Sequence, residues 1–246
     1  MGRNFSGSFM IPTVMLLIGF AQAGDQGDSK KSPSAADRKA AIERVCAVAK
    51  KAVEENDLTR TDLVGNFGFT PFEEINKLGV VLVGFRLGMG KFIDKPVIHT
   101  IEPIYLSKTG EVYGVKRGKD RYSFAKKSKS NARETEILRA KPGYAVGGIK
   151  LQTGLGVDGM SLIFMRIDGE KLDPKEQYES KWVGSLGDRP KLLGGSGHLV
   201  IGLRGVEDKK DIKQLGFVYA GHDAPTNAEK TPGFRKGKNS DDKKQF

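Results

Sequence analysis

The chain has 246 residues and a formal charge of +11, from 41 Lys and Arg against 30 Asp and Glu. A single Cys excludes an internal disulfide framework and any Cys-rich zinc module, and a hydrophobic fraction of 38% is low for a polytopic membrane protein. Glycine is in excess at 32 residues but follows no triplet period, which excludes collagen and leaves a chain long enough for one sizeable domain with a true core.

Met1 to Ala23 reads as a signal peptide. Arg3 gives a positive start, Phe9 to Phe20 is an apolar run, and Ala21-Gln22-Ala23 is a small-residue cleavage site. A spanning helix needs roughly 20 apolar residues. This run is shorter and contains Pro12, so an uncleaved anchor is the weaker reading. The expectation is an exported protein, secreted or periplasmic, with no membrane span after signal cleavage. Residues 24–33 read as a disordered linker.

An amphipathic helix is expected over 35–56. Ile42, Val45, Cys46, Ala49 and Val53 fall on one helical stripe. Ser34 ahead of Asp37 supplies a polar N-cap with an acid in the first turn. Cys46 on that stripe is a buried small hydrophobe, with a reactive or intermolecular thiol as the alternative. Residues 34–77 are this helix and its connection to the body.

After Leu58 the helical period fades and three related segments follow: Val80 to Leu106, Tyr144 to Ile167 and His198 to Ala220. Each opens with an apolar strand that reaches a glycine, at Gly84, Gly148 and Gly202. Each passes a polar or Gly-containing loop and closes on a strand of alternating large residues: Ile101 to Tyr105, Met160 to Phe164, Leu215 to Tyr219. Period-2 alternation indicates half-buried strands. The opening glycines lie 64 and 54 residues apart, leaving room for a further hairpin in each unit. Its expected members are Glu111 to Val115, Glu134 to Ala140 and Lys191 to Leu193. Twenty-five of the 32 glycines fall between Gly65 and Gly221, inside this body. Three Gly-rich β units suggest a closed, pseudo-threefold antiparallel assembly, with an ordinary β-sandwich as the alternative.

The pieces GYAVGGIKLQTGLGVDGMSLIF from Gly143 and LVIGLRG…DIKQLGFVY from Leu199 make residues 78–221 resemble the jacalin-like lectin domain, also found in uncharacterised exported bacterial proteins. The resemblance implies a mainly β fold: a β-prism of three antiparallel Greek-key sheets, here behind an N-terminal helix. It implies sugar binding only where the site residues survive, and the expected module is non-enzymatic with no cofactor. The family's sugar site rests on a loop of form G-x-x-x-D. Glycine lets backbone N–H groups approach a ligand, and the carboxylate accepts hydrogen bonds from neighbouring hydroxyls. That Asp should stand two residues before an inward apolar residue and six before the terminal aromatic. The register gives Asp158 in the second unit, where Gly154 to Asp158 reads GLGVD. It gives His99 in the first unit and Lys213 in the third, the family's main site. Lys has donors but no acceptor, so the third site is lost or altered. The carbohydrate-binding candidates are therefore Gly154, Gly156 and Asp158, with Trp182 as a stacking platform. The competing readings are a purely conformational Gly-Asp turn and a Trp182 that packs in the core. The rival function is a structural or protein-interaction role on the same scaffold with no sugar site.

Other chemistry finds little support. Gly154 to Gly159 spells GxGxxG, but the strand-like run that follows excludes a dinucleotide site. GGSGH at 194–198 is not a nucleophile elbow. Asp168, Glu170 and Asp173 lack the spacing of a calcium loop and read as a solvated hairpin. The three His offer no metal pair, so no metal or catalytic group is expected. Lys116, Arg117, Lys119, Arg121, Lys126, Lys127 and Lys129 form a basic stretch with Tyr122 and Phe124 interleaved. It reads as a solvated face or as a surface for an anionic polymer. A glycan or anionic envelope polysaccharide is the expected partner, and nucleic acid is not. The oligomeric state is open. Residues 222–246 read as a disordered basic tail.

Overall fold

The computed structural model describes residues 34–92, 95–118, 135–208 and 211–223. The signal-peptide and linker readings, the basic stretch from Lys119 to Lys129 and the tail beyond Asp223 lie outside the described residues.

Helix α1 spans Ala35–Glu54. The Ser34 hydroxyl accepts from the Asp37 N–H at 3.2 Å, and the Asp37 carboxylate accepts from the Ser34 N–H at 3.0 Å, a reciprocal capping box. The helix stops two residues short of the expected end. Asn56 takes a left-handed φ of 54°, a conformation that Asn tolerates and a helix cannot continue through.

Fifteen strands follow among the described residues. They are β1 Leu58–Arg60, β2 Val64–Gly65, β3 Thr70–Ile75, β4 Val81–Phe92 and β5 Lys95–Ser107, then β6 Gly110–Tyr113, β7 Arg117–Gly118, β8 Thr135–Arg139, β9 Tyr144–Thr153 and β10 Val157–Asp168, and last β11 Lys171–Glu179, β12 Val183–Gly184, β13 Lys191–Gly194, β14 Val200–Asp208 and β15 Asp211–Ala220. They form three antiparallel five-stranded sheets. The orders are β6-β5-β4-β8 with β7 on β5, β11-β10-β9-β13 with β12 on β10, and β1-β15-β14-β3 with β2 on β15. Each sheet is one Greek key: a long hairpin, a strand beside its second arm, a two-residue strand, and a return beside its first arm.

The expected three units are present, and the extra members fall at β6, β8 and β13, close to their expected ends. The third unit differs from expectation. Residues 58–75, read as connection, supply three of its five strands. The reason is hydrogen-bond demand rather than hydrophobic pattern. LTR, VG and TPFEEI show no clean alternation, yet the two edges of the β14–β15 hairpin carry backbone groups that need partners. Val200 to Asp208 and Asp211 to Ala220 find them in the strands that open the domain. The first and last strands of the body thus close one sheet.

The units superpose by register. Each hairpin has a bulge beside its opening glycine, at Val83, Gly147 and Ile201. Gly84, Gly148 and Gly202 pair with Ile104, Ile163 and Val218. Leu82, Val146 and Val200, with Tyr105, Phe164 and Tyr219, then form one buried layer of the central core. Phe85, Ile149 and Leu203 form the next, and Ile101, Met160 and Leu215 lie beyond it.

A second apolar cluster closes one end of the prism. Val81, Ala145 and Leu199 are threefold equivalents at the open ends of the hairpins, and Val45, Ala49 and Ala52 of α1 pack on them. Cys46 faces the same way and donates its thiol to the Leu106 carbonyl at 3.6 Å. Ala49 is fully buried, and the small side chains let the helix backbone approach the sheet ends. The helix is therefore a plug on the base of the prism.

Candidate functional site

The opposite end, at the hairpin turns, is polar. A second set of bulges lies here, one per hairpin. The register skips His99 in β4–β5, Asp158 in β9–β10 and Lys213 in β14–β15. A bulge bends the strand and re-aims its extra residue, and bulges concentrate beside binding sites. The three residues placed at one position by sequence register thus share one backbone irregularity.

A second feature fixes these bulges. The two-residue strands β7, β12 and β2 each bring a positive-φ glycine against the bulge. Gly118 has φ 82°, Gly184 89° and Gly65 147°. A Cβ on Gly118 would press on the His99 carbonyl oxygen, one on Gly184 on that of Asp158, and one on Gly65 on that of Lys213. Only glycine supplies both the φ and the space.

The three bulges converge on one pocket of about 320 Å³. Lys95 and His99 come from the first hairpin, Gln152, Gly156 and Asp158 from the second, and Asp211 and Lys213 from the third. Ser185 and Leu186, on the loop after β12, complete the wall. Polar bonds tie the sheets together around it. Lys213 Nζ donates to the Leu155 carbonyl at 2.6 Å and pairs with Asp211 at 3.4 Å. Asn66 Nδ2 donates to the Gly154 carbonyl at 3.2 Å, and Ser185 Oγ donates to the Pro96 carbonyl at 2.6 Å.

The second hairpin differs from its equivalents. The first pairs out to Phe92 with Lys95 and the third to Asp208 with Asp211. The second stops at Thr153 with Val157, leaving Gly154, Leu155 and Gly156 as an open loop. Gly90, which opens the same G-x-x-x-D spelling at 90–94, is instead paired with Val97 in a strand.

Asp158 folds back on that loop. Its carboxylate accepts from the Gly156 backbone N–H, and Gly154 leaves the space into which it turns. Burial holds its carboxyl above the usual range, against the pull of that hydrogen bond and of Lys213 and Lys95. His99 is only 5% exposed, and Gly90 leaves the room that its ring fills. The Gln152 side-chain oxygen is buried with no partner among the described residues. Gln152 lines the pocket, but its amide packs against Gly187 and its oxygen is closed off from solvent, where an unmade hydrogen bond is costly.

Of the four residues singled out by sequence, Gly156 and Asp158 line the pocket and Gly154 backs the Asp158 carboxylate. Trp182 lies elsewhere. It packs against Gly159, half-buried, with its indole N–H enclosed and unpaired. Sequence reasoning misses Gln152, Ser185, Lys95 and the three bracing glycines. The glycines carry a signal: Gly65, Gly118 and Gly184 each end a two-residue strand, but such strands are too short to show a period.

Other features resolve as structure. GxGxxG runs directly into strand β10, which begins at Val157 within the motif, so no helix N-terminus follows the glycines. Asp173 and Glu176 pair with Arg166. Ser196 Oγ lies 2.8 Å from His198 Nδ1, an exposed contact between neighbours on one loop. Among the described residues no cluster could hold a metal, and no helix is long and apolar enough to cross a membrane.

The sequence matches no family model and no curated protein. Solved lectins resemble the fold at low identity. A mannose-specific jacalin-related lectin from Morus nigra, in complex with mannose, is 14% identical, over 67% of this chain and 95% of its own, at a TM-score of 0.47. A mannose-binding jacalin-related lectin from Ananas comosus is 13% identical, over 68% of this chain and 99% of its own, at 0.46. Wild-type Malaysian banana lectin is 10% identical, over 65% of this chain and 96% of its own, at 0.44. The sheets carry the assignment. Three Greek keys about a pseudo-threefold axis, the third closed by the first and last strands of the body, give this chain the jacalin-like β-prism fold.

Proposed function

We propose that this chain is an exported, non-enzymatic carbohydrate-binding module whose site is the pocket at the hairpin turns. The observation that carries the reading is Asp158. It is a carboxylate on a bulge, beside the open loop of the second hairpin, in a pocket of about 320 Å³. Small-molecule sites begin near roughly 300 Å³, so the space suits one sugar unit. Asp158 supplies an acceptor for hydroxyl donors. A glycan array probed with wild type and Asp158→Ala tests this. The expected result is a bound glycan that Asp158→Ala no longer retains, and binding that survives Asp158→Ala removes the site. Export predicts a mature N-terminus at Gly24, read by N-terminal sequencing of protein recovered outside the cytoplasm.

One observation favours a second reading, an interaction scaffold with no sugar site. The Gly156 N–H and the Leu155 carbonyl, which a sugar would use, already bond Asp158 and Lys213. On that reading no glycan on the array binds.

A further inference from the structure

The pocket departs from three separate sugar loops in two ways. It is single, because all three bulges open into the same space. It is also mixed in charge. Lys213 is a cation at one of the three bulge positions and His99 puts an imidazole at another, where carboxylates would be needed to read a neutral sugar three times over. Among the described residues Lys213 commits two of its three N–H groups, one to the Leu155 carbonyl and one to Asp211, leaving one for a ligand. Its side chain is only 13% exposed, so that remaining donor lies in a partly desolvated place where it attracts an anion more strongly than in water. Lys95, exposed at the start of β5, adds a second cation to the same lining. Across from them stand two acceptors. The Asp158 carboxylate spends part of its capacity on Gly156, and the Gln152 oxygen is buried and unpaired among the described residues.

A ligand that satisfies both halves carries hydroxyl donors and one acid group on a compact ring. We propose that this pocket is one binding site for a single hexuronic-acid unit, with its carboxylate on Lys213 and Lys95 and its hydroxyls on Asp158 and, once its amide turns outward, on Gln152. The inference rests on the carbohydrate-binding reading and narrows it to a ligand class and a stoichiometry. Charge-assisted hydrogen bonds to the acid are the stronger ones and set the preference over neutral sugars.

Calorimetric titration of the full chain with glucuronate, glucose and methyl mannoside tests it. Glucuronate is expected to bind one per chain, at least tenfold tighter than glucose, and more weakly as salt rises. Lys213→Met and Lys95→Met each weaken glucuronate at least tenfold. Lys95 is exposed, so the thermal midpoint of Lys95→Met should match wild type and exclude misfolding as the cause. Glucuronate affinity equal to that of glucose, or unchanged in Lys95→Met, overturns the proposal. Binding of a neutral sugar through Asp158 with glucuronate excluded overturns it while the carbohydrate-binding reading stands. Failure of all three sugars, together with a blank glycan array, removes both.

Discussion

The two ends of the prism are built from the same three hairpins and treat equivalent positions in opposite ways. At the base, the threefold equivalents Val81, Ala145 and Leu199 are apolar and buried, and α1 seals them. At the turns, the equivalents are His99, Asp158 and Lys213, three different chemistries that one pocket collects. Each end has a bulge in every hairpin. Bulge geometry is thus indifferent to use. What separates a packed seal from a binding surface is what the bulge re-aims. At the base the extra residues are Val83, Gly147 and Ile201, and the Met165 side chain lies in the space that Gly147 leaves open. Apolar burial at about 25 cal/mol per Å² stabilises that end. The turn end instead spends its backbone and side-chain polar groups on bonds between sheets, each adding a net of about 1 kcal/mol.

The comparison breaks most sharply at the helix seat. Ala49→Asp would bury an uncompensated charge in the apolar cluster that includes Val81 and Val218, and leaving such a charge costs about 3–5 kcal/mol. Denaturant unfolding should show that loss, and an unchanged midpoint would mean that α1 does not seal the base.

The next largest effect lies at the turn end. Gly184→Ala meets the Asp158 carbonyl at a φ of 89°, so clash and strain act together. The cost is about 2 kcal/mol or more, with strain alone at about 1–3 kcal/mol, and the displaced Asp158 should lose any ligand. Gly169 provides the control. Its φ is 62° but no atom lies near a Cβ there, so Gly169→Ala carries only the left-handed cost of about 1–2 kcal/mol. Equal losses would mean that the bracing contact adds nothing.

A gentler probe of the base is Cys46. Burial pushes its thiol up to about 11, so little thiolate forms at neutral pH. Iodoacetamide labelling of the native chain should run at least tenfold slower than that of the urea-unfolded chain. Matching rates would place the thiol in solvent and unseat the helix.

How far the sequence announces each end follows from what each is made of. The core is written in period-2 alternation and is readable down to the register that aligns Tyr105, Phe164 and Tyr219. The helix seat is readable from one apolar stripe. The third sheet is not. Its first strands are two to six residues long, and they form because the last hairpin needs partners at both edges. A requirement set by strands at the far end of the chain leaves no local mark. The pocket is half legible. Asp158, His99 and Lys213 fall into one position by counting back from the aromatics, but nothing in that count places them around a shared cavity. Gln152 reads as an ordinary strand residue. Trp182 draws attention as the single Trp, yet its ring packs on Gly159 rather than on the pocket.

The smallest effect separates the ends by pH. Burial raises the Asp158 carboxyl above its unfolded value, so the folded state prefers the protonated form. Relative to the unfolded chain, this residue favours folding most at acid pH, and the benefit is lost as pH rises through its folded pKa. Ionised Asp158 is therefore a small cost at neutral pH, and Asp158→Asn should be slightly more stable than wild type there. The Asn oxygen can still accept from the Gly156 N–H, which keeps the loop bond in place. The advantage should shrink as pH falls into the carboxylate range, where wild type also carries a neutral group. Paired urea titrations at pH 7 and pH 4 measure it. The base end should show no such dependence, because Val45, Ala49 and Ala52 present nothing that titrates and the Cys46 thiol stays protonated at both values. A stability loss in Asp158→Asn at pH 7 would mean that the ionised carboxylate holds the loop, and that the pocket is built around its charge rather than in spite of it.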